Sequence, residues 1–140
     1  MGLFSRFKSA FQKSPRREFQ DPELGIFILE SAIWSGKAKH ADREIQFYVA
    51  GTEDIPYPVL KNSLRKLLAN FKSTEMEAEN FLKNQESELK DSKLSFYSVD
   101  FLWEDRPDDF SMEFLADEND SVVWRVNFQN GKPKNAGFDD

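Results

Sequence analysis

Cysteine is absent from the 140 residues, and histidine occurs once, as His40. The first absence removes disulfides, thiolate nucleophiles and zinc sites built on cysteine. The second removes most metal sites built on imidazole. No apolar run approaches the ~20 residues that a helix needs to cross a bilayer. No GxxxxGK[ST], GxGxxG, HExxH or GxSxG pattern occurs, so the phosphate-cradling, dinucleotide, zincin and hydrolase signatures are missing. Basic charge is in deficit: 19 Lys and Arg stand against 25 Asp and Glu, a net of −6. An acidic body repels phosphodiesters, so no nucleic acid is expected as a partner. The start of the chain lacks a secretory apolar core, because Ser5, Arg6, Lys8 and Ser9 interrupt it; a cytoplasmic location is expected, with peripheral membrane contact as an alternative.

Aromatic residues are plentiful instead. Fourteen Phe, three Trp and three Tyr are more than a disordered chain carries. Charge is also unevenly placed. Residues 1–18 hold five basic residues against one acid, whereas residues 100–140 hold eleven acids against four basic residues.

Periodicity divides the chain. Leu3, Phe4, Phe7, Ala10 and Phe11 make a helical stripe with Arg6, Lys8 and Lys13 around it, and Ser14-Pro15 ends it. Residues 1–18 therefore read as a basic amphipathic helix and linker, and 19–140 as one globular domain. Asp21-Pro22-Glu23-Leu24-Gly25 is a turn signature. Strands are expected at 26–30, 33–38 and 45–50. Leu60, Leu64, Leu67, Leu68 and Phe71 predict a helix opened by Pro58. A second helix follows, with Thr74 and Glu77 in capping-box spacing. Alternation then returns through Tyr97–Trp103, Phe110–Ala116 and Val122–Phe128, and Asn130-Gly131 is a hairpin turn. The expected fold class is α+β: an antiparallel sheet of about six strands, two central helices packed on one face and an N-terminal amphipathic helix, in the order α-βββ-αα-βββ. Trp34, Trp103 and Trp124 fall on predicted strands and are expected in the core.

Candidate chemistry is sparse. His40 sits on a polar hairpin tip with no nucleophile or orienting partner at catalytic spacing. Asp117-x-Asn119-x-Ser121 opens like a calcium loop, but Val122 and Phe128 stand where Gly and Glu are required. No catalytic, metal or cofactor residue is assigned and no cofactor is expected; an enzyme built on carboxylates alone has no positive support. The acidic turns supply candidate partner-binding residues: Asp105, Asp108, Asp109, Asp117, Glu118 and Asp120. Such groups steer and pair with Lys or Arg of a basic protein. Leu3, Phe4, Phe7 and Phe11 are candidates for contact with a membrane surface or a partner.

Asp21-Pro22-x-Leu24-Gly25, Trp34-x-Gly36 and Asn130-Gly131, set in this order of elements, resemble a loose group of small bacterial proteins of unknown function. Some relatives of that group are associated with immunity to polymorphic toxins. The resemblance covers roughly 20–138. It implies an α+β binding protein, an inhibitor of a toxin in its sharpest form, and it transfers no functional residue. The alternative reading is a peripheral membrane or scaffold protein held by residues 2–13.

Overall fold

The structure, a computed structural model, describes residues 16–117 and 119–139. Among the described residues four strands come first: β1 (Glu18–Asp21), β2 (Gly25–Glu30), β3 (Ile33–His40) and β4 (Arg43–Ala50). Two helices follow, α1 (Pro58–Ala69) and α2 (Phe71–Gln85), with a single 3-10 turn at Ser87–Leu89. Four more strands complete the chain: β5 (Leu94–Phe101), β6 (Phe110–Ala116), β7 (Asn119–Gln129) and β8 (Lys132–Asp139). All eight form one sheet in chain order, β1 through β8. Every neighbouring pair is antiparallel except β4 and β5, which run parallel with Tyr48 opposite Asp100.

This corrects the expected fold class: the sheet is mixed, has eight strands rather than about six, and follows ββββ-αα-ββββ. The parallel pair arises because the helical segment carries the chain from the end of β4 back to its start, the crossover that a parallel neighbour requires. No strand is expected over β1, because Glu18-Phe19-Gln20-Asp21 has a single apolar residue and too little alternation to register. The expected N-terminal helix, with Leu3, Phe4, Phe7 and Phe11, lies outside the described residues.

Alternation decides which face is covered. Phe27, Trp34, Phe47, Val49, Val99, Phe101, Met112, Phe114 and Val126 point to one side and are buried. Leu60, Leu64 and Leu67 of α1 and Phe71, Ala78 and Leu82 of α2 pack on them. Each buried Val, Leu, Met or Phe among them contributes about 1.5–3 kcal/mol by leaving water. Gly36 sits in this layer because nothing larger fits. A Cβ there would stand 2.6 Å from the Phe47 ring and 2.8 Å from the Ile26 carbonyl.

The break between the helices falls at Asn70. Asn70 leaves helical geometry (φ −124, ψ 29) while its N–H still donates to the carbonyls of Leu67 and Leu68. The Thr74 N–H donates to the Asn70 carbonyl, so Thr74 lies inside the second helix rather than at its cap.

A buried carboxylate fastens the first strands to α1. Asp21, 5% exposed, accepts the Glu23 and Leu24 N–H groups at 2.9 Å each. It also receives Lys61 at 3.1 Å and Arg65. Burial alone would raise its pKa, but the backbone donors, Lys61 and Arg65 prevail and hold it below the ordinary aspartate value. A second tie joins the Arg43 guanidinium to Glu75 through two hydrogen bonds of 2.9 and 2.8 Å, with Arg43 lying over the Phe71 ring.

Candidate functional site: the polar sheet face and the β5–β6 loop

α1 and α2 pack on one sheet face, and across β5–β8 the opposite face is polar. Register places Asp100, Ser111, Asn127 and Asn135 side by side on successive strands. The next row holds Ser98, Glu113 and Arg125. Period-two alternation puts these opposite the apolar core row, so the pattern that builds the core also builds the polar face. Arg125 lies 3.4 Å from Asp100 and 3.5 Å from Glu113. The Ser98 hydroxyl donates to Glu113 at 2.9 Å. The Ser111 hydroxyl donates to Asn127 Oδ1, and Asn127 Nδ2 donates to Asn135 Oδ1, both at 2.6 Å.

Two carboxylates therefore face one guanidinium on a surface from which water is largely excluded. Asp100 is only 8% exposed. Desolvation, reinforced by the charge of Glu113 and opposed by Arg125, pushes its carboxyl up to about 6. Across the parallel pair, burial likewise raises the Tyr48 phenol.

The loop between β5 and β6 borders this row. It is two successive turns, closed by Arg106 N–H to the Trp103 carbonyl at 3.1 Å and Asp109 N–H to the Arg106 carbonyl at 3.0 Å. The β7–β8 hairpin straps it down: Gly131 N–H donates to the Asp108 carbonyl and Asn130 N–H donates to Asp109 Oδ1, both at 2.9 Å. That hairpin can do so because Asn130 and Gly131 both adopt positive φ, 53° and 80°. Trp103 stands on this loop at 51% exposure with Arg106 over its ring at 4.8 Å. Its expected place in the core is thus corrected: the strand ends at Phe101, and only Trp34 and Trp124 are buried. Between loop and strands lies a groove of about 430 Å³ lined by Asp100, Trp103, Arg106, Ser111, Arg125 and Lys134, among others.

The acidic candidates do not form one patch. Asp105, Asp108 and Asp109 lie in the loop before β6, and Asp117 lies in the turn after it. The seven residues of β6 separate them by about 20 Å. Asp105 and Asp108 are exposed, whereas Asp109 is committed to Asn130 and lies 3.9 Å from Arg106. Asp117 Oδ1 accepts the Lys93 N–H at 3.2 Å. Glu118 lies outside the described residues, and Asp120 falls within β7. His40 ends β3 half-buried, its ring 5.5 Å from Phe71, rather than exposed on a tip. Among the described residues no group of three or more His, Asp or Glu is placed to hold a metal ion, and no helix is long and apolar enough to cross a membrane.

Sequence reasoning missed the polar row. Its signal was present as Ser98, Asp100, Ser111, Glu113, Arg125 and Asn127 at alternate strand positions, but only the register brings them together.

Fold and site define a mixed α+β sheet with one face packed by helices and the opposite face polar and charged across β5–β8. Comparison with protein-family models, with curated proteins and with solved structures returns no match.

Proposed function

We propose that the chain is a non-enzymatic, cytoplasmic protein-binding module that recognises a basic segment of its partner through the β5–β6 loop. An immunity-like inhibitor that masks a basic toxin surface is the specific form. One observation carries the reading. Trp103 is half-exposed beside the exposed acids Glu104 and Asp105, on a loop held by two hydrogen bonds to the neighbouring hairpin. A large aromatic with little freedom to lose is the residue type that anchors interfaces. Flanking carboxylates add steering and paired hydrogen bonds to Lys or Arg. Pre-organisation by the Asn130-Gly131 turn lowers the ordering cost of association.

The test places a photo-crosslinking residue at Asp105, and for comparison at Asp42, in the β3–β4 turn at the other end of the sheet. Specific crosslinking in source cells from position 105, lost on Trp103→Ala, supports the reading. Equal yields from both positions, or yields indifferent to Trp103→Ala, refute it.

A further inference from the structure

The groove beside the loop has its own chemistry. Its volume of about 430 Å³ falls in the range of ~300–1,000 Å³ typical of small-molecule sites. Its acceptors are committed. Asp109 accepts from Asn130, Asp100 lies against Arg125, and Asn127 and Asn135 each accept from the neighbour before them. Its donors are not. Asn135 Nδ2, at the end of the Ser111–Asn127–Asn135 chain, donates to no described residue. Lys134 makes no ion pair among the described residues. Arg106 has one contact at 3.9 Å, to Asp109, besides its place over Trp103. A lined cavity in which Lys134, Arg106 and Asn135 Nδ2 offer donors suits a ligand that supplies acceptors.

We propose that this groove binds a small organic anion, a carboxylate or phosphate, held by Lys134, Arg106 and Asn135 Nδ2 against the Trp103 side. Within a chain of net charge −6, Arg106 and Lys134 bring two cations to the lining beside Asp109, while Arg125 is engaged by Asp100 and Glu113. The carboxylate nearest the floor sets a pH dependence. Asp100 faces Arg125 and Glu113, with Tyr48, Tyr97 and Glu30 nearby on the same face and Arg106, Asp109 and Lys134 around the groove. Its ionised form repels an anion, and its protonated form does not. This site shares Trp103 with the protein-binding reading but does not rest on it, since Lys134, Arg106 and Asn135 hold the anion; loss of crosslinking at Asp105 would leave it untouched.

The experiment is a two-dimensional NMR titration of the full ¹⁵N-labelled chain at constant ionic strength, with benzoate and phenyl phosphate as separate probes. The expected result is saturable shifts at the Trp103 indole and at Ser111, Asn127 and Asn135. The probe that saturates first identifies the anion as carboxylate or phosphate. Lys134→Gln weakens binding about tenfold, the usual consequence of losing one charged hydrogen bond. Benzoate, which keeps its charge over this range, binds about fivefold tighter at pH 5.5 than at 7.5. Lys132→Gln, an exposed lysine on the same strand that reaches Glu77 instead, leaves affinity unchanged. Failure of both probes to saturate overturns the proposal, as does Lys132→Gln weakening binding as much as Lys134→Gln, which would mean general charge attraction.

Discussion

Replacing Asp100 by Asn should stabilise the protein at neutral pH and do little in acid. The carboxyl moves from 3.8 to about 6 on folding, which at about 1.4 kcal/mol per pH unit amounts to about 3 kcal/mol. A raised carboxyl binds its proton more tightly in the native state than in the unfolded one. Its contribution is therefore fully present below pH 3.8, falls as pH rises towards 6, and above 6 remains as a fixed penalty for ionising a desolvated group. Asn approximates the neutral carboxyl in size and leaves Arg125 with Glu113. Urea unfolding of wild type and Asp100→Asn at pH 4, 5, 6 and 7.5 reads the difference directly. We expect near-equality at pH 4 and an advantage for Asn of about 2–3 kcal/mol at pH 7.5. A difference independent of pH would refute the reasoning. It would mean that the carboxylate matters only as a hydrogen-bond partner.

Asp21 has the opposite sign. Its lowered carboxyl stabilises the fold above the unfolded value and loses that contribution as pH falls below 3.8 and through the native pKa. Asp21→Ala takes from Lys61 and Arg65 the buried carboxylate they share and should cost about 3 kcal/mol, seen as a lower urea midpoint. Gly36→Ala forces a methyl against Phe47 and the Ile26 carbonyl and should cost about 2 kcal/mol by the same measurement. Trp103→Ala removes an exposed ring and should change stability by less than about 0.5 kcal/mol, which makes it a clean probe of binding.

Several features of the fold were legible because a single local cause produced them. Pro58 opening a helix, the leucine stripe of α1 and the Asn130-Gly131 turn each follow from the geometry of one or a few residues. Trp34-x-Gly36 was visible as a motif, and its reason is the close approach of Phe47 across the strand pair. What could not be read was set by distant partners. β1 forms because β2 offers Ile26 to Ile28 beside it, not because Glu18–Asp21 prefers to be a strand. The parallel β4–β5 pair depends on how the two helices return the chain. The Asp100–Arg125–Glu113 cluster spans three strands, so it exists only through register. Charge counting likewise found the acids of residues 100–140 without showing that β6 holds them at opposite ends.

The most direct test of the central claim, that recognition occurs at the β5–β6 loop, is photo-crosslinking from position 105 in wild type and Trp103→Ala at equal expression. The account predicts a discrete crosslinked partner in the first and its loss in the second, with urea midpoints unchanged. A partner retained by Trp103→Ala, or captured equally from position 42, would contradict it.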